Sequence, residues 1–169
     1  EADFTKFITV GGNYMSGYQD GALWKKGQQH SIGALLNEKF QLVGGGAFNQ
    51  PLMPDNRGLG LNNKPWEGVF VQASKLGNKT DCEGVTAIKP LKDTIGFSNA
   101  TNYLNGVSGN SYQNLAVPYG RIQNFFSSSF SNSWQSGNPN PYYHRFASNV
   151  GVSKLKDDAF AQNSTFFAA

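Results

Sequence analysis

The chain is 169 residues long, which is the size of one domain and enough to bury a substantial core. Lys and Arg number 14 against 11 Asp and Glu, and the net charge of +3 is too small and scattered to indicate a nucleic-acid partner. Gly, Asn, Ser and Gln supply most of the polarity, which favours an exported protein, periplasmic or on the outer surface. The single Cys82 excludes an internal disulfide and a zinc site built on cysteines.

No window has the roughly 18 consecutive apolar residues that a membrane span needs, so we expect no membrane span. The chain opens with Glu1-Ala2-Asp3 rather than with a basic, apolar signal segment. We therefore expect an export signal or a lipid anchor, if present, to precede residue 1.

The first predicted elements are a buried strand at Phe7–Val10 and a helix capped by Ser31. Apolar residues in the helix recur at i, i+3, i+4 and i+8, and this stripe is predicted to face the core. The stripe comprises Ile32, Leu35, Leu36 and Phe40. Gly44 to Gly46 are expected to end the helix.

Residues 47–94 are predicted to form a long loop excursion. Four prolines interrupt the segment, at positions 51, 54, 65 and 90, and one short strand is expected at Gly68–Val71. Loops of this length are usually functional or disordered, and the aromatic content of this one favours a packed loop.

The second half of the chain repeats the order strand, turn, helix. A strand is predicted at 113–118, a helical start at 121–126, a helix at 156–162 and a third buried strand at 164–169. This alternation favours an α/β fold with a parallel sheet, in which ligands bind at the carboxyl ends of the strands. Since three strands leave an open edge, we expect a second chain or a missing segment to complete the sheet.

Residues 11–23, G-G-N-Y-M-S-G-Y-Q-D-G-A-L, resemble the first sequence block of the SGNH (GDSL-type) hydrolases. In the bacterial envelope branch of that family the block usually reads G-N-S-L-T-A-G-Y-x-D-G-A-L. Further similar stretches follow in the expected order, at 42–46, 50–53, 114–118, 140–148 and 161–167. The resemblance implies a three-layer α/β/α, flavodoxin-like fold, with residues 1–169 forming the N-terminal portion of a single SGNH hydrolase-like domain.

The resemblance also implies a chemistry, which is ester hydrolysis by a Ser nucleophile with a His base and an Asp that orients it. The register places the family's nucleophile at Asn13, whose amide has no hydroxyl to activate. The Gly that supplies an oxyanion N–H falls on Tyr119, with Gly120 one place later. The family's remaining blocks would lie beyond Ala169. Both positions that can be compared therefore depart from the family pattern.

A ligand cleft is predicted around Asn13, Tyr14, Ser16, Tyr119 and Gly120. We expect Ser16 to cap the turn rather than to act as a nucleophile. The Asn13 amide can both donate to and accept from a small-molecule, lipid or glycan ester ligand.

No metal, cofactor or nucleotide site is predicted. Neither His30 nor His144 has an acidic residue three or four positions later, and the glycine runs match neither a phosphate loop nor a dinucleotide fingerprint. Four loop aromatics are expected to plug the core rather than to form a ligand platform: Trp66, Trp134, Tyr142 and Tyr143.

Two hypotheses about function remain open, together with the simpler one that the piece is a fragment whose function belongs to the remainder. In the first, the chain is a catalytically degenerate SGNH-like module of the cell envelope that binds a glycan or acyl ligand. In the second, it is part of an active ester hydrolase whose remaining catalytic blocks lie outside this chain.

Overall fold

The first strand lies at the centre of a parallel ladder in the computed structural model, which describes residues 2–64, 68–92, 107, 111–132 and 140–169. Strand β1, Phe7–Thr9, pairs in parallel with the C-terminal strand Phe166–Ala168. On its other side β1 bonds to residues 113–117, because the Thr9 N–H donates to Gln113 O and the Leu115 N–H donates to Thr9 O, both at 2.8 Å. The three segments predicted as parallel strands thus lie side by side, although 113–117 forms a single bridge rather than a full strand.

Five short helices and seven strands occur within the described residues. The helices are α1 Asn13–Ser16, α2 Lys25–Gln29, α3 Ile32–Gln41, α4 Pro141–His144 and α5 Leu155–Phe160, with 3-10 turns at Ile122–Phe126 and Ser128–Ser131. The remaining strands are β2 Tyr18–Gln19, β3 Ala22–Leu23, β4 Gly58–Lys64, β5 Gly68–Thr80 and β6 Thr86–Lys92, and Phe166–Ala168 is β7. The chain is therefore a mixed α/β protein, as expected in general terms.

Helix α3 begins where the sequence predicted, but only part of the predicted apolar stripe faces the core. The Ser31 Oγ accepts the Ala34 N–H at 3.2 Å and caps the helix. The predicted core positions Ile32 and Leu35 are each 45% exposed, whereas Leu36 and Phe40 are half-buried and the Phe40 ring packs against buried Phe7, with centroids 4.8 Å apart. The predicted stripe therefore meets the core only in part. The reason is a close approach to β1, since a Cβ at Gly33 would lie 2.9 Å from the Thr9 side chain. A larger residue would not fit at Gly33, and the fully buried positions of the helix are Gly33, Ala34 and Asn37.

Within the loop excursion predicted over 47–94, residues 58–64, 68–80 and 86–92 instead form strands, and the short strand expected at Gly68–Val71 is part of one of them. Three long strands there extend an antiparallel sheet in the order β2-β3-β4-β5-β6. Prolines are typical of loops, but Pro90 lies within β6, which is an edge strand. A proline on an edge strand can lack its N–H without losing a hydrogen bond inside the sheet.

The polypeptide before β4 is held by two buried polar side chains. Gln28 donates to Pro51 O at 2.9 Å and accepts the Met53 N–H at 2.7 Å. The Arg145 guanidinium donates to Pro51 O at 3.1 Å and to Leu52 O at 2.9 Å, and burial lowers the pKa of Arg145 to about 10. These bonds fix residues 51–53 against the body of the protein.

The core lies beneath the parallel ladder and draws on both halves of the chain. A cluster of buried side chains comprises Ile8, Leu23, Met53, Leu59, Tyr112, Leu115, Val117, Phe130, Tyr142, Tyr143, Phe146, Ala147 and Leu155. The prediction that the last strand is buried is wrong, because Phe166 is 37% and Phe167 65% exposed. Apolar composition alone could not distinguish this partly exposed strand from a central one.

Candidate functional site

The polypeptide that follows β1 makes a tight helical turn, and Ser16 stabilises it from inside. The Ser16 N–H donates to Gly12 O at 3.1 Å and the Ser16 Oγ donates to Asn13 O at 3.0 Å. Ser16 is only 3% exposed. Its hydroxyl therefore fills the structural role expected for it, and it is not presented to a substrate.

Asn13, at the start of this turn, contacts the second position that the sequence singled out. The Tyr119 N–H donates to Asn13 Oδ1 at 2.9 Å, across 106 residues of chain. Tyr119 follows the segment that runs parallel to β1, so both residues lie at the carboxyl ends of neighbouring strands. In open α/β sheets this is the edge at which ligands bind.

Tyr119 holds a backbone conformation that favours glycine. Its φ is +61°, in the left-handed region, which costs a non-glycine residue about 1–2 kcal/mol. The Tyr119 side chain is 45% exposed, and the next residue, Gly120, donates its N–H to Val117 O at 3.0 Å. The turn is therefore tight and closed by its own backbone.

Asn140 anchors this turn from the far side. Its Nδ2 donates to Pro118 O at 2.7 Å, while its Oδ1 accepts the N–H groups of Tyr142 and Tyr143 at 3.0 and 3.1 Å. The same side chain thus caps α4 and fixes the residue before Tyr119.

Asn114 links the parallel ladder to the polypeptide around α1. Its Oδ1 accepts from the Thr9 Oγ1 at 2.9 Å, and its Nδ2 donates to Met15 O at 3.1 Å. Asn114 is only 3% exposed, so these bonds are shielded from water. The two edges of the candidate cleft are consequently held by buried amide side chains.

A pair of tyrosines forms one side of the site. The Tyr18 and Tyr119 hydroxyl oxygens are 2.7 Å apart, and their rings meet edge to face with centroids 5.2 Å apart. Behind them, the Tyr142 hydroxyl donates to Leu59 O at 2.7 Å. Burial, and then the hydrogen bond to Tyr119, raise the pKa of Tyr18 well above that of an ordinary phenol. The Tyr18 phenol therefore stays protonated at neutral pH.

The described side chains lack the arrangement of a serine hydrolase. His30 Nδ1 lies 2.8 Å from Lys26 O and His144 Nδ1 lies 3.1 Å from Ser131 O, so each imidazole is engaged by a backbone carbonyl. Neither is bonded to a hydroxyl that it could activate. Asn13 and Tyr119 offer hydrogen bonds and aromatic surface, which suit binding rather than nucleophilic attack.

The other predicted site residues differ in their exposure to solvent. Tyr14, within the turn, is 81% exposed. Tyr142 and Tyr143 are 1% and 0% exposed, which confirms that they plug the core. Trp66 and Trp134 lie outside the described residues.

Sequence reasoning missed the roles of three residues at this site, Tyr18, Asn114 and Asn140. Tyr18 served only to fix the register of a sequence block, yet it bonds to a residue 101 positions away. A capping signal was present at Asn140, which precedes Pro141 at the start of a helix. Nothing in the local sequence pointed to its bond with Pro118.

Comparisons of the chain with protein-family models, with curated proteins and with solved structures gave no match. Within the described ranges, no helix is long and apolar enough to cross a membrane. The same part of the chain contains no group of three or more His, Cys, Asp or Glu side chains placed to hold a metal ion.

Proposed function

We propose that this chain is a catalytically degenerate, SGNH hydrolase-like domain of the cell envelope that binds an acyl or glycan ligand between the turn at Asn13 and the turn at Tyr119. The observation that carries the proposal is the 2.9 Å hydrogen bond between the Tyr119 N–H and Asn13 Oδ1. These are the two positions that the resemblance assigns to an oxyanion donor and a nucleophile. They are adjacent, but Asn13 has no hydroxyl to act as a nucleophile, and the Tyr119 N–H that could serve as the oxyanion donor is taken up by Asn13 Oδ1.

The backbone at Tyr119 also supports an origin in such a site. Its φ of +61° is one that glycine adopts freely, and glycine is the residue expected there from the resemblance. A tyrosine that replaced such a glycine would hold the same conformation at a cost in backbone strain.

The ligand class follows from the groups that the site offers. A carbonyl oxygen that displaced Asn13 Oδ1 would accept the Tyr119 N–H, and the displaced amide could then donate to the ligand. The exposed part of the Tyr119 ring offers a flat apolar surface of the kind on which a sugar ring or an acyl chain packs. An acyl ester or an N-acetylated sugar has both a carbonyl oxygen to accept the N–H and an apolar part to pack on the ring.

Binding can be tested by NMR titration of the ¹⁵N-labelled chain with ethyl butyrate and with N-acetylglucosamine. We expect the Tyr119 amide signal to shift with at least one of them, and Tyr119→Ala to weaken the binding. Phe126→Ala is the matched control, since Phe126 is an exposed aromatic residue on a 3-10 turn. Shifts spread evenly over the surface, or no shift with either compound, would contradict ligand binding at this site.

Catalysis is tested separately, with a fluorophosphonate probe and p-nitrophenyl esters. We expect neither labelling nor turnover. Turnover that disappears when a residue of the turn after β1 is changed would instead support the alternative, an active ester hydrolase.

A further inference from the structure

The far end of the antiparallel sheet is a two-stranded ribbon that extends beyond the other strands. β4 pairs with β5 only as far as Ser74, so, among the described residues, 75–80 of β5 pair with β6 alone. Exposed side chains occur on both faces of this ribbon, with Leu76 at 51% and Ile88 at 71% on one face and Lys79 on the other. A ribbon of two strands is only marginally stable unless it packs against something.

The two faces of the ribbon differ in character. Residues directly opposite each other in an antiparallel pair share a face, and the Thr80 and Thr86 hydroxyls, 2.8 Å apart, mark one of these faces. Between residues 76 and 90 that face carries no charged residue, and it consists of three apolar residues and three uncharged polar ones: Leu76, Ile88, Pro90, Asn78, Thr80 and Thr86. Val85, 56% exposed, extends its apolar surface into the connecting turn.

The opposite face of the ribbon is basic. It carries Lys79 and Lys89, and Lys89 Nζ lies 3.4 Å from Asp81 Oδ2. Of two further lysines at the base of the ribbon, Lys75 is in register with this basic face, whereas Lys92, opposite Ser74, is in register with the other face. The connecting turn adds two acidic residues. The segment 75–92 therefore has four lysines, Asp81 and Glu83, which gives a net charge of +2.

Two features argue against another protein chain as the occupant of the apolar face. Six residue pairs cover about 20 Å by 10 Å, or about 200 Å², whereas a stable complex buries about 800 Å² on each partner. The free edge of β6 contains Pro90, which lacks the N–H that an added strand would need. A bilayer surface requires neither a large complementary patch nor an open strand edge.

We propose that this ribbon is a peripheral membrane-binding arm that inserts its apolar face between the headgroups of an anionic lipid surface. Apolar residues on one face and lysines on the other are the pattern of elements that lie in the interfacial plane of a membrane. Lysine stems are long enough to reach around a ribbon about 10 Å wide and place their ammonium groups among lipid phosphates. Because three or four apolar side chains give weak insertion by themselves, the charge on the lipid decides whether the arm binds.

The chain supplies its own reporter for the test. Cys82, the only cysteine in the sequence, is exposed in the turn of the ribbon. An environment-sensitive fluorophore on Cys82 is mixed with vesicles of phosphatidylcholine alone or of phosphatidylcholine with phosphatidylglycerol. Co-sedimentation of the unlabelled chain with the same vesicles checks that the fluorophore does not cause binding.

We expect enhanced fluorescence and co-sedimentation with the anionic vesicles only, and loss of both in high salt. Ile88→Ser should weaken binding about tenfold, because it removes most of the insertion energy of one side chain. Lys79→Gln should weaken it about fivefold. Ile122→Ser is the matched control, since Ile122 is 80% exposed on a 3-10 turn, and it should bind as the unchanged chain does.

Three results would overturn the proposal. They are no binding to anionic vesicles, equal binding to neutral and anionic vesicles with no effect of salt, and equal loss of binding in Ile88→Ser and Ile122→Ser. Leu76→Ser provides a second variant of the same face if Ile88→Ser alters the circular dichroism of the chain. Its failure to weaken binding would count against insertion of that face.

Discussion

Replacing Asn13 by Ala removes the hydrogen bond that joins the two turns of the candidate site. The bond is 2.9 Å long and connects neutral groups, one half-buried and the other on a residue that is 45% exposed. Water can reach the released Tyr119 N–H, so the cost lies at the lower end for such bonds, at about 0.5–1 kcal/mol. For a chain of this length, that lowers the melting temperature by about 1–4 °C.

The local effect of Asn13→Ala should be clearer than the global one. The left-handed backbone of Tyr119 costs about 1–2 kcal/mol in strain, which is comparable to the free energy of the hydrogen bond that holds it there. Without the bond, this turn should open more often, and the Tyr119 amide should exchange its hydrogen about fivefold faster. Hydrogen exchange followed by NMR at single residues measures this directly.

Two further variants make the Asn13 experiment decisive. Asn13→Asp keeps an oxygen acceptor and should leave the Tyr119 amide protected at neutral pH. Asn124→Ala is the matched control, because the Asn124 side-chain oxygen accepts the Arg121 N–H in a hydrogen bond of the same length. This change should accelerate hydrogen exchange at the Arg121 amide but not at the Tyr119 amide. Unchanged exchange of the Tyr119 amide in Asn13→Ala would refute the claim that this bond holds the turn.

Two other predictions concern stability. Gly17 has a φ of +78°, and a Cβ there would collide with the Gly27 carbonyl. Gly17→Ala should therefore lower the free energy of unfolding, measured in urea, by about 3 kcal/mol. Gly21 has a φ of +74° but open space around it, so Gly21→Ala should lower the free energy of unfolding by only about 1 kcal/mol. Equal losses in the two variants would show that backbone strain alone matters and that the collision at Gly17 does not. Burial raises the pKa of Tyr18 and Tyr143, so the folded chain holds protons that the unfolded chain releases above about pH 10. Stability should therefore fall as pH rises above 10, with a shallower fall in Tyr18→Phe, as thermal unfolding across that range would measure.

Elements that depend on neighbouring residues were predictable. β1 is a short run of apolar and β-branched residues, and α3 begins at a serine whose side chain caps it. The predicted helix at 156–162 corresponds to α5, Leu155–Phe160, whose first turn carries Asp157 and Asp158, the charge that a helix N-terminus favours. In each case the signal lies within a few positions of the structure that it determines.

The sequence also pointed to Asn13 and Tyr119 as a pair, but only through a resemblance to a family. Their contact depends on two parallel strands that bring residues 106 positions apart into hydrogen-bonding distance. The tyrosine pair of Tyr18 and Tyr119 depends on the same approach, and no local pattern encodes it.

Tertiary structure decided which apolar residues are buried. The apolar stripe of α3 was visible in the sequence, but Gly33 had to face Thr9 because the helix lies too close to β1 for a larger residue. Likewise, Phe166 and Phe167 look like core residues until β7 is seen to lie beside β1 with much of its own surface exposed. Local sequence sets the propensity to form an element, whereas burial depends on how closely other elements approach it, and that distance is set only when the whole chain has folded.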